Sequence, residues 1–165
     1  MEDIRRTIET NVSETGDGSF RSVARLTDPF HEIEVTVVVR DADYTITEAS
    51  ARMMRIPYAD NCPNSMRRID ELSGVQIGPS LSRTVREAVG GDHGCPYLVE
   101  LSVQACKLAM LASMSAQARV AVIVEDDLDK FDVIHHKMGD CAGHHDLPFG
   151  QLPAWLEAER DRARQ

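Results

Sequence analysis

His31-Glu32-Ile33-Glu34-Val35-Thr36-Val37-Val38-Val39-Arg40 alternates as a strand does when one of its faces is dry and the other wet. Ile33, Val35, Val37 and Val39 fall on one side; Glu32, Glu34, Thr36 and Arg40 fall on the other, with Val38 the one apolar exception. The β-branched content suits a pleated, half-buried surface. On the N-terminal side, Phe20–Leu26 alternates too, with Phe20, Ser22, Ala24 and Leu26 sharing a face. On the C-terminal side, the turn-like Asp41-Ala42-Asp43 leads into Tyr44–Ala51, rich in Thr and Ile. These three segments predict an antiparallel meander with one apolar face. Ile4–Val12, ahead of them, predicts a short helix ended by Gly16-Asp17-Gly18.

Beyond residue 51 the pattern turns helical. Asn64 or Ser65 can cap a helix over Met66–Leu72, and Ser80–Val89 carries Leu81, Val85, Ala88 and Val89 at helical spacing before Gly90-Gly91. Pro96 suits a first helical turn with Cys95 at or next to the N-cap. The expected buried stripe of that helix is Leu98, Leu101, Ala105, Leu108 and Ala112, with Leu111 beside it. Arg119–Val124 is a short apolar run, strand or helix start; Asp127–Met138 and Leu152–Arg164 read as helices. Strands followed by helices predict one α+β domain over residues 1–165, an antiparallel β meander packed against several helices, with a His/Cys-containing extension over 126–165.

Composition narrows the function classes. The chain has 165 residues, 42% apolar and 27% charged, which is ordinary for a globular protein able to bury a core. The net charge of −9 and the absence of a Lys/Arg cluster argue against nucleic acid as a partner. The densest basic run, Glu159–Arg164, mixes signs and reads as a solvated helix face. No apolar run is expected to approach the roughly 20 residues of a membrane span, and MEDIRRTIET is too polar for a signal peptide. Cys62, Cys95, Cys106 and Cys141 lack a framework spacing and are expected as reduced thiols. The expected compartment is cytoplasmic.

No recognised nucleotide, flavin or covalent-nucleophile motif occurs. Gly90-Gly91-Asp92-His93-Gly94 lacks the Lys and the preceding strand of a phosphate loop, and reads as a helix C-cap plus turn. His31 shares the apolar face of its strand, where a hydrogen-bonded core histidine competes with a catalytic one. Cys95, at a helix start, is a candidate nucleophile, ligand or pocket wall; its bland alternative is a small residue fitted beside Gly94. Tyr97 and Glu100 lie about one turn apart on the same helix. Past residue 130, His135-His136, Cys141 and His144-His145 offer a second cluster, with His136, Cys141 and His145 as one set of metal ligands. Neighbouring histidines on one helix cannot both face one ion. Met53, Met54, Met66, Met110 and Met114 read as core filler.

Phe30-His31-Glu32-Ile33-Glu34-Val35, the Pro57–Cys62 segment PYADNC, the Ser73–Gly78 segment SGVQIG and the Gly90–Leu101 segment GGDHGCPYLVEL occur in that order. Together they resemble a bacterial family known as domain of unknown function 2889, over about Gly16 to Leu111. The family pattern also carries His followed by an acid at His31. Relatives look like Gly-Cys-Thr-His-Leu where this chain has Gly94-Cys95-Pro96-Tyr97-Leu98. If relatives hold a metal through the cysteines matching Cys62 and Cys95 and that histidine, this chain has exchanged a nitrogen ligand for a phenol.

Two functional expectations result. The first is a small cofactor-independent enzyme using general acid–base chemistry on a neutral or aromatic small molecule, most simply a lyase of retro-aldol or elimination type. His31 is then base or orienter, Tyr97 the acid, Glu100 a second base, and Cys95 lines the pocket. The second is a non-enzymatic metal- or ligand-binding module that holds zinc or another divalent transition metal through Cys62, Cys95 and His31, or through the C-terminal His/Cys cluster. The expected partner is a small-molecule substrate, with self-association into a homo-oligomer left open; nucleic acid and membrane are not expected.

Overall fold

The computed structural model describes residues 3–136 and 147–165. Four strands, β1 Thr7–Glu14, β2 Ser19–Thr27, β3 Glu32–Arg40 and β4 Ile46–Arg55, form one sheet in the order β1-β2-β3-β4, each antiparallel to the next. A 3₁₀ helix follows over Cys62–Leu72, then α1 Leu81–Val89 and α2 Pro96–Arg119. A π-helical stretch, Val120–Val124, precedes α3 Leu128–His136 and α4 Ala154–Ala163. The fold is α+β.

The alternation of β3 sets the register. Leu26 pairs with Ile33, Ala24 with Val35, Ser22 with Val37 and Phe20 with Val39, and all eight are buried. Ile46 of β4, Ile69 and Leu72 of the 3₁₀ helix, Leu81, Val85 and Val89 of α1, and Leu98 and Leu101 of α2 supply the rest of this core. The other sheet face carries cross-strand ion pairs, Arg25 with Glu32, Arg52 with Glu34 and Arg55 with Glu32. Thr36 is buried on that polar face, at the centre of the sheet between Val23 and Ser50.

Three sequence expectations need correction. The short helix over Ile4–Val12 is instead strand β1. Ile8 and Val12 are four apart, a spacing that suits a helix face and a strand face alike, whereas Thr7, Thr10 and Asn11 disfavour helix. Gly16 and Gly18, both at positive φ, return the chain so that Glu14 pairs with Phe20. Of the expected α2 stripe Leu98, Leu101 and Ala105 are buried, but Ser102, Cys106 and Ala109 complete the buried line, while Leu108 and Ala112 are only half-buried and Leu111 is exposed. Small residues there permit close packing. Finally, Pro96–Val124 is one continuous helical run of 29 residues, by length and composition long and apolar enough to cross a membrane, with 33% of its most apolar window buried. Ser and Gln residues with Glu100, Lys107 and Arg119 break up the apolar residues, so no unbroken run is visible in the sequence, yet the average stays high.

The chain divides into two compact units, Met1–Met110 and Leu111–Gln165, with the boundary inside α2. In the second unit Arg119 pairs with Glu159 and lies over the Trp155 ring, and Asp132 accepts from the Gly150 N–H.

Candidate functional site

The tight connection between β2 and β3, Asp28-Pro29-Phe30-His31, organises the site. Asp at the first position of a turn and Pro at the second are favoured for physical reasons: the carboxylate caps following amides, and the ring fixes φ. Asp28 Oδ1 accepts from the backbone N–H of Phe30 at 2.8 Å and of His31 at 2.7 Å, while the Asp28 N–H donates to the His31 carbonyl at 2.9 Å. Arg55 of β4 pins the turn through a 2.7 Å bond to the Asp28 carbonyl.

The same carboxylate does a second task. His31 Nδ1 lies 3.1 Å from Asp28 Oδ1, and Arg6, just ahead of β1, donates to Oδ2 through Nε at 3.0 Å and Nη2 at 2.6 Å. The Asp28 side chain is 1% exposed. Burial alone would push its pKa up, but the Arg6 hydrogen bonds, with those of Phe30 and His31, outweigh that and hold it at about 2. A permanent carboxylate against Nδ1 selects the tautomer with its proton on that nitrogen, leaving Nε2 as the basic one.

Tyr97 enters from the first turn of α2. Its ring centre lies 4.6 Å from that of His31, the planes tilted by 59°. Arg6 Nη2 donates to the Tyr97 hydroxyl oxygen at 3.1 Å, so the phenolic proton is directed elsewhere. A guanidinium at the start of β1, a turn carboxylate, a strand-entry imidazole and a helical phenol thus form one chain of polar contacts.

The placement of Tyr97 depends on glycine. Gly91 has φ of +75°, and the Cys95 N–H donates back to the Val89 carbonyl at 3.0 Å, so α1 ends and α2 begins almost on top of one another. A Cβ on Gly94 would collide with the Val89 carbonyl oxygen and the Gly90 backbone. The segment Gly90–Gly94 is a cap and turn, as its composition implied.

His31 and Tyr97 line a cleft of about 720 Å³. Ile33 and Met53 continue the sheet side, Cys62 and Arg67 belong to the 3₁₀ helix, and Cys95 sits at the mouth of α2. Volumes of this order accommodate a drug-sized molecule. The structure therefore brings together His31, Tyr97, Cys95 and Cys62. Glu100 is exposed and is not part of the cleft wall.

Among the described residues, no three His, Cys, Asp or Glu side chains stand close enough to hold a metal ion, so Cys62, Cys95 and His31 share the cleft without forming such a set. His136 Nδ1 lies 2.8 Å from the Asp132 carbonyl oxygen, and Cys141, His144 and His145 lie outside the described residues. Cys62, Cys95 and Cys106 are free. Burial pushes the Cys106 thiol up to about 12, so it stays neutral in the core.

Sequence comparison adds the family. Residues 4–111 match the family described as protein of unknown function (DUF2889). The chain belongs to this family. No curated protein and no solved structure matches it. The DUF2889 match ends one residue past the first compact unit, and every residue of the cleft lies inside it. Within the DUF2889 segment, Arg6, Asp28 and Arg55 are the site residues that sequence reasoning missed. Asp28-Pro29 was the available signal, since a turn Asp three residues before a candidate histidine can reach its ring.

Proposed function

We propose that this chain is a small cofactor-independent enzyme performing general acid–base chemistry on an aromatic or otherwise apolar small molecule, most simply a retro-aldol lyase. The observation that carries this reading is the Asp28–His31 pair in tilted ring contact with Tyr97 in one cleft. His31, fixed by Asp28, takes the proton of a substrate β-hydroxyl through Nε2. The carbon–carbon bond then breaks, an aldehyde leaves, and its electron pair moves onto the retained carbonyl as an enolate. Tyr97 protonates that enolate, and the proton on His31 returns to Tyr97 by way of solvent. Arg6, bonded to the phenol oxygen, steadies the negative charge that Tyr97 carries in between. Glu100 has no part in this cycle, because it stands outside the cleft wall.

The test is aldehyde release from a panel of aryl β-hydroxy ketones. Wild-type protein should turn over at least one of them, and His31→Asn and Tyr97→Phe should each slow it by about 100-fold or more while melting as wild type does. Equal turnover by Tyr97→Phe, or no aldehyde from any member of the panel, would defeat the proposal.

A further inference from the structure

The charges around the cleft point to a feature of its ligand that the acid–base reading leaves open. The protein as a whole carries −9, yet Asp92 is the one carboxylate among the cleft-lining residues, against the two arginines Arg67 and Arg68. The arginines differ. Arg68 is fully engaged, with Nε and Nη2 on the Glu71 carboxylate at 2.8 and 3.0 Å and further bonds to the Glu87 and Gly90 carbonyls. It braces the 3₁₀ helix against α1, and its charge is neutralised by Glu71. Arg67, its neighbour, is exposed and makes no hydrogen bond or ion pair among the described residues. A guanidinium at the wall of a concave site with no internal partner presents a planar pair of donors to whatever enters.

The rest of the wall is mixed, with Asn61, Asn64, Ser65 and His93 beside an apolar part. Ile33, Met53, Ile56 and Pro57 face the same space, and Tyr58 stands at its edge, 68% exposed. We infer that the ligand is a monoanion, an aromatic or apolar body bearing a single carboxylate that Arg67 holds, with the reacting centre at His31 and Tyr97. The overall acidity of the chain and the Asp92 carboxylate on the same wall disfavour a polyanion, and Arg67, which unlike Arg68 has no carboxylate bonded to it, can hold one negative charge. The inference deepens the acid–base reading and rests on the same cleft, but Arg67 is assigned to binding alone.

Binding and turnover keep the two ideas separable. Calorimetric titration of the full-length protein with 4-methoxybenzoate, 4-methoxybenzamide and 4-methoxyphenyl phosphate varies only the head group. The carboxylate should bind wild type about 10-fold or more tightly than the amide, the usual worth of a charge-assisted pair. Arg67→Gln should bring the carboxylate down to the level of the amide, leave the amide unchanged and keep the melting temperature. Arg67→Lys should restore part of the loss, since the charge returns without the fork. Equal binding of carboxylate and amide, a carboxylate affinity indifferent to Arg67→Gln, a phosphate that binds more tightly than the carboxylate, or no binding of any of the three would each overturn the inference. Amide binding as tight as carboxylate binding, in a protein that loses turnover with Tyr97→Phe, would overturn the monoanion and leave the acid–base reading standing. Arg67-dependent carboxylate binding in a protein whose Tyr97→Phe variant turns over normally would do the reverse.

Discussion

Asp28 joins structure and chemistry in one side chain. It caps the β2–β3 turn, orients His31 and neutralises Arg6. Its folded pKa of about 2 lies below its ordinary value of 3.8, so the sign of its linkage is fixed: the stability it contributes is present above about pH 4 and lost as pH falls towards 2. Asp28→Asn keeps the shape but removes the charge, and should lower stability by about 1–3 kcal/mol at neutral pH. In urea titrations the gap between wild type and Asp28→Asn should close as pH falls through that window. A gap that stays constant from pH 7 to pH 2 would mean that folding does not shift the pKa of this carboxyl. Sequence parity was enough to place His31 beside Ile33, and helix spacing was enough to place Tyr97 on the first turn of α2. The convergence of Arg6 and Asp28 on them was not legible, because it depends on β1 pairing with β2, and β1 reads as a helix.

At the level of elements, β2, β3 and β4 were readable as strands and β1 was not. β2 and β3 alternate cleanly, because one face is core and the other is an ion-paired surface. β1 is an edge strand with exposed positions on both faces, so no burial pattern was written into it. The α1–α2 connection was legible for a different reason, since glycines at tight backbone approaches have few replacements. Gly94→Ala should cost about 1–3 kcal/mol from overpacking against the Val89 carbonyl, or displace the start of α2. Its signature would be a lowered melting temperature together with loss of turnover, because Tyr97 moves with the helix. A variant as stable and as active as wild type would show that the turn yields without consequence.

For the whole molecule, the compact unit Met1–Met110 and the DUF2889 match, residues 4–111, nearly coincide. All the buried strand, 3₁₀ and α1 residues fall before that boundary, as does the buried start of α2. A chain comprising residues 1–111 should therefore retain a cooperative thermal transition and the mixed strand and helix signature in circular dichroism. A fragment that gives a random-coil spectrum would show that the first unit needs residues 112–165 in order to fold. This boundary was not visible in the sequence, because the hydrophobic pattern of α2 runs across it without a break and no Gly or Pro marks it.

The contact between Arg6 and Tyr97 spans 91 positions of chain. A loop of that length has a substantial closure entropy, and it can close only after the sheet edge has zipped and α2 has docked. Biosynthesis imposes the same order: the guanidinium leaves the ribosome early and waits for a phenol made much later. The Arg6–Tyr97 contact is thus a late one, a mark of the assembled unit. In the native state the dependence runs the other way: fraying of the exposed β1 edge would take Arg6 from Asp28 and Tyr97 at once, with the core left in place.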